Sequence, residues 1–139
     1  MDPLIFNFDV PGDDFLRAGE ASSTVKRTLK SLGLSPETVR RVAIAMYEAE
    51  MNMVIHAGGG KITAVVTPEE ISLEFTDKGP GIPDIDLAMQ EGWSTAPEYI
   101  RERGFGAGMG LPNIKKSTDL FHIDSIVGLG TTIKMKIII

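Results

Sequence analysis

The sequence predicts an α/β (α+β) two-layer sandwich, in which helices cover one face of a mostly antiparallel, mixed sheet. Five segments alternate apolar and polar residues, as half-buried strands do. Two segments near the N-terminus repeat apolar residues every three or four positions, as helices with one buried face do. The strands gather beside the helices, and this order favours antiparallel pairing. With 139 residues the chain can bury one core, and we expect one domain, residues 1–139.

Each predicted element has its own boundary signal. Asp13 or Asp14 is placed to cap the first helix, and Gly33 to end it. Ser35 followed by Pro36 is typical of the N-cap and first residue of a second helix. The predicted strands are residues 4–10, 61–67, 71–76, 121–127 and 131–138, and the predicted helices run from 13 or 14 to about 32, from 36 to about 56, from 86 to 91 and from 111 to 118.

The composition argues against several classes of function. The net charge is −5 and no basic stripe stands out, which argues against a nucleic-acid partner. The chain has no cysteine and two histidines, so neither a disulfide nor a zinc site is expected. No apolar run approaches the ~20 residues that span a bilayer. The N-terminus lacks the pattern of a signal peptide. We therefore expect a cytoplasmic protein with no membrane partner.

The second predicted helix carries a pair of polar residues on one face. Glu48 and Asn52 are four positions apart, which places them on the same side of a helix. Asn52 offers a carbonyl oxygen suited to Mg²⁺, and Glu48 is suited to general-base work. The alternative is an ordinary solvated polar face. Glu50 is expected to face elsewhere, and His56 to lie near the helix end, where a cation is favoured.

Two further motifs follow predicted strands or enter them. Asp77 comes directly after a strand and precedes Gly79 and Gly81. Its carboxylate can accept a hydrogen bond from an exocyclic amine such as that of adenine, and glycines let a flat ring approach the backbone. The alternative is a plain turn in which the aspartate bonds its own backbone. Gly130-Thr131 enters the last strand, where the threonine either supports a base or is simply a good strand residue.

A glycine-rich loop precedes the helix predicted at residues 111–118. Its alternating glycines are Gly104, Gly106, Gly108 and Gly110. A helix N-terminus offers unpaired N–H groups and the positive end of the helix dipole. Together the loop and the helix favour a phosphate cradle, with a flexible linker as the alternative.

In this order and at these separations, the motifs resemble the N, G1 and G2 boxes of the GHKL ATPase superfamily. The boxes are Glu48-x-x-x-Asn52-x-x-x-His56, Asp77-x-Gly79-x-Gly81 and Gly106-x-Gly108-x-Gly110, with Gly130-Thr131 as the terminal pair. The resemblance covers the whole chain. It is strongest to the anti-sigma factor serine/threonine kinases, through the run Asp-x-Gly-Pro-Gly-Ile at 77–82 and Gly-x-Gly-Leu-Pro-Asn at 108–113.

The resemblance implies a single histidine-kinase-like ATPase domain with the Bergerat fold, which binds ATP and Mg²⁺ between the helices and the sheet. It implies Asn52 as the Mg²⁺ ligand, Glu48 as the catalytic base and Asp77 as the acceptor for the adenine amine. The other implied cofactor-binding residues are Gly79 and Gly81 beside the base, Gly106, Gly108 and Gly110 at the phosphates, and Ile82, Gly104, Met109, Leu111 and Thr131 in the same site.

The activity implied by the resemblance is phosphorylation of a serine or threonine on a STAS-type anti-anti-sigma partner. A sigma factor and a second copy of the chain are further partners that the resemblance suggests. Two alternatives stay open: an ATP-gated protein-binding module without efficient kinase activity, and a detached histidine-kinase catalytic domain. The presence of Glu48 favours the kinase.

Overall fold

The computed structural model describes residues 2–12, 17–90 and 110–139, and their strands form one sheet in the order β1-β2-β3-β5-β4. The strands are β1 (Leu4–Pro11), β2 (Gly59–Val66), β3 (Glu70–Thr76), β4 (Leu120–Ile126) and β5 (Gly130–Ile138). The helices are α1 (Glu20–Ser31), α2 (Pro36–Asn52), α3 (Ile85–Ala88) and α4 (Gly110–Ser117), with a π-helical turn (Met53–Ala57) continuing α2. The predicted α+β sandwich is confirmed.

The sheet differs from the prediction in one respect, because every pairing between the described strands is antiparallel. The expectation of a mixed sheet is therefore wrong. Two helices separate β1 from β2, and the two strands pair in opposite directions. The pairs β2–β3 and β4–β5 are hairpins, and a short connection of this kind joins only antiparallel strands.

Helix α1 begins later than its sequence pattern suggests. It starts at Glu20, and the candidate caps Asp13 and Asp14 lie outside the described residues. Gly19 has a φ of 97°, in the left-handed region, and a helix cannot pass through that conformation. The predicted end is confirmed, since the cap residue is Leu32.

Helix α2 begins as predicted and ends differently. The Ser35 side chain accepts a hydrogen bond from the Thr38 N–H, and Pro36 is the first helical residue. The α-helical hydrogen bonding stops at Asn52 instead of running to His56, and a π-helical turn takes over. Such turns add a residue within a helix and are often found at functional sites.

The core lies between the inner face of the sheet and the apolar faces of α1, α2 and α4. Buried residues alternate along the three central strands, β2, β3 and β5. The fully buried side chains include Val25, Leu29, Met46, Ile71, Ile114 and Ile137. Burying a side chain of this size contributes about 1.5–3 kcal/mol, so this layer fixes α2 and α4 against the sheet.

The two short helices start within one residue of their predicted places, and α4 (Gly110–Ser117) also ends within one residue of its predicted end. Helix α3 begins at Ile85, one residue before the predicted start, and the side chain of its N-cap Asp84 accepts a hydrogen bond from the Leu87 N–H. The predicted end at residue 91 is wrong, because α3 ends at Ala88 and the chain turns at Met89. Within the described ranges, none of the helices has the length and apolar character needed to cross a membrane.

Candidate functional site

The start of α4 lies directly over the polar face of α2. A Cβ atom at Gly110 would lie 3.1 Å from Asn52 Nδ2, 3.2 Å from Asn52 Oδ1 and 3.4 Å from Glu48 Oε2. A side chain at this position would press on both polar groups, which would have to shift by a few tenths of an ångström. Glu48 and Asn52 are each partly buried, and they face a helix N-terminus instead of forming an ordinary solvated face.

The environment of Glu48 acts on its proton affinity in two opposite ways. Burial raises the pKa of the Glu48 carboxyl, and a hydrogen bond from the Asn113 side chain lowers it. Burial is the larger effect, so the pKa lies above its ordinary value. Asn113 was missed as a candidate site residue, although it lies in the run quoted above and one helical turn after Gly110.

Asp77 occupies the junction between β3 and β5. Its Oδ1 accepts hydrogen bonds from the N–H groups of Gly79, at 2.9 Å, and Thr131, at 3.2 Å. Its own backbone N–H donates to the Thr131 carbonyl at 3.0 Å. The bond to Gly79 is the one expected of a plain aspartate turn, but it uses Oδ1 alone. The bonds to Thr131 add a tertiary constraint that fixes the direction of the carboxylate.

The turn after Asp77 is fixed against its neighbours on two sides. A Cβ atom at Gly79 would lie 2.6 Å from the Ala57 Cα, so this part of the turn rests on the end of the π-helical turn. Gly81 has a φ of 79°, and a Cβ there would lie 2.6 Å from the Ile126 carbonyl oxygen. The next residue, Ile82, donates its N–H to Ser125 Oγ at 2.7 Å. The turn is thus held between α2 and the β4–β5 hairpin.

Ser125 is a second residue that the sequence analysis missed. Its hydroxyl lies 2.8 Å from the Thr131 hydroxyl, on the neighbouring strand. In sequence Ser125 is one polar residue in an alternating strand, and nothing in that pattern distinguishes it from a surface serine.

The glycine-rich loop is only partly described. The candidates Gly104, Gly106, Gly108 and Met109 lie outside the described residues, whereas Gly110 and Leu111 form the start of α4. The Leu111 side chain is buried in the core, so its available polar group at this end of the helix is the backbone N–H.

Two other titratable residues lie on α2 and on the π-helical turn that continues it, Glu50 and His56. Burial lowers the pKa of the His56 imidazole, which favours the neutral ring at pH 7. His56 lies near the helix end, as predicted, and burial acts against the cation that this position favours. Glu50 faces away from Glu48, as expected, and accepts hydrogen bonds from the N–H groups of Gly19 and Ser22.

The donor set at Asn52 suits Mg²⁺ better than a metal that needs several protein ligands. Among residues 2–12, 17–90 and 110–139 there is no group of three or more His, Cys, Asp or Glu side chains arranged to hold a metal. Mg²⁺ bound with a nucleotide commonly takes one or two protein oxygens and completes its shell with phosphates and water. The Asn52 amide oxygen beside the start of α4 fits that pattern.

Comparison with known proteins places these residues in a family context. The model of the histidine kinase-like ATPase domain matches residues 15–137. The serine/threonine-protein kinase RsbT of Bacillus subtilis is 32% identical over 113 residues, covering 78% of this chain and 79% of RsbT. The anti-sigma F factor of Clostridium acetobutylicum is 33% identical over 131 residues, covering 88% of each chain.

Solved structures of low sequence identity share the fold. The mycobacterial sensor histidine kinase MprB superposes with a TM-score of 0.55 at 17% identity, covering 97% of each chain. A chain of the SiaB–SiaC complex from Pseudomonas aeruginosa gives a TM-score of 0.58 at 11% identity, covering 96% of this chain and 89% of that one. These likenesses support the Bergerat architecture.

Proposed function

Since this chain belongs to the histidine kinase-like ATPase domain family, we propose that it is an ATP-dependent serine/threonine kinase of the anti-sigma factor type. The single observation that carries the proposal is the convergence of Glu48, Asn52 and Gly110. It brings a candidate base, a hard oxygen ligand and a helix N-terminus to one place, and phosphoryl transfer uses groups of these kinds.

The adenine end of the proposed site is at Asp77. Oδ1 is held by the N–H groups of Gly79 and Thr131, so we assign Oδ2 to the exocyclic amine of adenine. The turn at Gly79, Gly81 and Ile82 lies beside the base in this proposal. Because the turn is fixed against α2 and the β4–β5 hairpin, it is organised before the base arrives.

The phosphate end is at the start of α4. We propose that the N–H groups of Gly110 and Leu111 bind phosphate oxygens, together with the loop that includes Gly104, Gly106, Gly108 and Met109. Asn52 would hold Mg²⁺ through its amide oxygen, and the ion would neutralise phosphate charge. The π-helical turn links this end to the adenine end, since Ala57 packs on Gly79.

Glu48 is the proposed general base. It takes the proton of the acceptor hydroxyl as that oxygen bonds to the γ-phosphorus and the bond from the γ-phosphorus to ADP breaks. Its raised pKa makes the carboxylate a better proton acceptor, and the hydrogen bond from Asn113 orients it and favours its ionised form.

The proposed acceptor is a serine or threonine of a STAS-type anti-anti-sigma protein. The names of two relatives support this assignment, since one is a serine/threonine-protein kinase and the other an anti-sigma F factor. A kinase that uses ATP to regulate such a partner would act in the cytoplasm. Binding of a sigma factor and pairing with a second copy of the chain stay predictions.

The test is transfer of label from [γ-³²P]ATP, in the presence of Mg²⁺, to purified STAS-domain proteins encoded in the same genome. We expect a labelled serine or threonine, identified by mass spectrometry. Glu48→Gln should bind ADP normally and transfer roughly 10²–10⁴-fold more slowly. The matched control is Glu69→Gln, an exposed turn residue that should transfer at the wild-type rate.

Other outcomes would overturn the assignment of activity. ATP binding with no labelled STAS protein would favour an ATP-gated binding module. Label on a histidine of a separate chain would favour a detached histidine-kinase catalytic domain.

A further inference from the structure

Arg41, on α2, makes polar contacts at the end of α4 that lies away from the candidate site. Its Nε donates a hydrogen bond to the Ser117 carbonyl oxygen at 3.1 Å, and Ser117 is the last residue of α4. Its Nη2 lies 3.0 Å from Asp119 Oδ2. The Arg41 and Asp119 side chains are 29% and 39% exposed, so salt screens this ion pair less than it would screen a fully exposed one.

Asp119 is itself fixed to the sheet by two hydrogen bonds. Its backbone N–H donates to the Lys136 carbonyl oxygen at 2.9 Å, and its Oδ2 accepts the Ile138 N–H at 2.7 Å. Lys136 and Ile138 both belong to β5. Arg41 therefore fastens the end of α4 to α2 directly, and to β5 through Asp119.

One face of α2 contacts α4 along its whole length. Arg41 and Glu48 are seven residues apart, about two helical turns, so they lie on the same side of α2. Arg41 contacts the last residue of α4, and Glu48 accepts a hydrogen bond from Asn113 near its middle. Asn52 lies beside Gly110, the first residue. The two helices thus run in opposite directions, with Arg41 at one end of the contact and Asn52 at the other.

Apolar packing defines the position of α4 along α2 less sharply than Arg41 does. The helix has eight residues, and its buried ones are Leu111, Pro112 and Ile114. Burial of apolar surface is non-directional, so it resists a small slide or rotation of α4 less than a hydrogen bond of fixed length and angle does. The Ser117 carbonyl is one of the last four of the helix, which have no partner within it, and Arg41 supplies that partner.

The other end of α4 tolerates little displacement. A Cβ atom at Gly110 would lie 3.1 Å from Asn52 Nδ2, so the first residue of the helix is in close contact with the amide. In the proposed site one Mg²⁺ is shared between Asn52 and phosphate oxygens that the first N–H groups of α4 bind. Mg²⁺ demands near-ideal octahedral geometry with bonds of about 2.0–2.1 Å, so a shift of α4 along α2 would weaken this shared binding.

We propose that Arg41 is a positioning residue for the phosphate end of the site. By holding the last residue of α4 to α2 and β5, it sets where the first residues of α4 lie relative to Asn52. The inference rests on the proposed function, because it requires a Mg²⁺-nucleotide at that place. Arg41 acts from the opposite end of a helix about 12 Å long, without contact to the nucleotide.

The test measures how much Mg²⁺ strengthens ATP binding, by calorimetric titration with and without Mg²⁺. The variants are Arg41→Gln, Arg41→Lys and Asp119→Asn, and the matched control is Arg40→Gln, at the exposed neighbouring position. Thermal melting establishes that each variant is folded at the temperature of the titration. We expect the strengthening to fall roughly fivefold in Arg41→Gln, the size of one hydrogen bond, and to stay at the wild-type value in Arg40→Gln. Both substitutions remove one positive charge, so an equal fall in both would overturn the inference.

The other variants separate positioning from support of the fold. Arg41→Lys keeps the charge but lacks the planar fork that reaches Ser117 and Asp119 together, so we expect an intermediate value. Asp119→Asn keeps the bond from Arg41 to Ser117 and should lose less than Arg41→Gln.

Two results for these variants would overturn the inference while leaving the proposed function intact. One is a lowered melting temperature of Arg41→Gln with unchanged strengthening by Mg²⁺, since Arg41 would then support only the fold. If Arg41→Gln does not fold, the other is wild-type strengthening in both Arg41→Lys and Asp119→Asn. Failure of the folded wild type to bind ATP would instead overturn the proposed function, and the inference with it.

Discussion

Glu48 and Glu50 are two residues apart on α2, and their carboxylates lie on different sides of the helix. Glu48 is partly buried beside α4 and accepts a hydrogen bond from Asn113. Glu50 is 2% exposed, and it accepts hydrogen bonds from the N–H groups of Gly19 at 2.8 Å and Ser22 at 3.0 Å. One helix therefore carries a candidate base on one face and the N-terminal cap of α1 on another.

The cap predicts a large effect of Glu50 on stability. Glu50→Gln replaces one acceptor oxygen by an amide that faces N–H donors, so we expect a loss of about 2 kcal/mol in the free energy of unfolding. Urea denaturation measures it. The control Glu69→Gln, at an exposed position, should change stability by less than about 0.5 kcal/mol. Equal small losses in both variants would show that the cap contributes little.

The raised pKa of Glu48 predicts that the ionised residue lowers the free energy of unfolding at neutral pH. The folded protein binds the Glu48 proton more readily than the unfolded chain, so this group favours folding below its ordinary pKa. That contribution is lost as the pH rises through the raised pKa. Glu48→Gln should therefore be more stable than the wild type at pH 7, with the difference disappearing near pH 4. A difference that is the same at both pH values in urea denaturation would contradict this sign.

The hydrogen bond from Asn113 to Glu48 predicts that removing Asn113 shifts the pKa of Glu48. Asn113→Ala removes the hydrogen bond that favours the ionised carboxylate, so the pKa of Glu48 should rise further. Carboxyl carbon chemical shifts followed by NMR measure the titration directly. In the transfer assay, the acidic limb of the pH–rate profile should move to higher pH, while ADP affinity stays within about twofold of the wild type. An unchanged titration would remove Asn113 from the proposed machinery.

The proposed contact between Asp77 and adenine predicts that a change of this residue weakens nucleotide binding. Asp77→Asn places an amide where the carboxylate accepts the N–H groups of Gly79 and Thr131, and a rotated amide would present a donor to the adenine amine. We expect ADP affinity to fall roughly 10²-fold, as when a buried hydrogen bond is lost and a donor is left unpaired. Isothermal titration calorimetry with ADP measures the loss, and circular dichroism confirms the fold. Unchanged affinity would refute the adenine assignment.

Local patterns predicted most of the fold. Strand alternation gave the five strands within about two residues, and the Ser35-Pro36 signal gave the start of α2. The late start of α1 could not be predicted in the same way. It depends on Gly19 and on a carboxylate 31 residues further along the chain, a contact that no local pattern reports.

Some residues of the candidate site could likewise be predicted from the sequence, and others could not. The motifs identified Glu48, Asn52 and Asp77, because their spacing is local and distinctive. Ser125 looks like any polar strand residue until β4 pairs with β5 and brings it to Thr131. The lowered pKa of His56 is caused by burial, which the sequence around this residue does not report.

The most direct test of the central claim is calorimetric titration of ATP into the wild type and Asn52→Ala, with and without Mg²⁺. We predict that Mg²⁺ strengthens ATP binding by the wild type and that Asn52→Ala loses most of this strengthening, because Asn52, beside Gly110, is the proposed Mg²⁺ ligand. The absence of ATP binding by the folded wild type, or an identical Mg²⁺ dependence in Asn52→Ala, would contradict the proposed site.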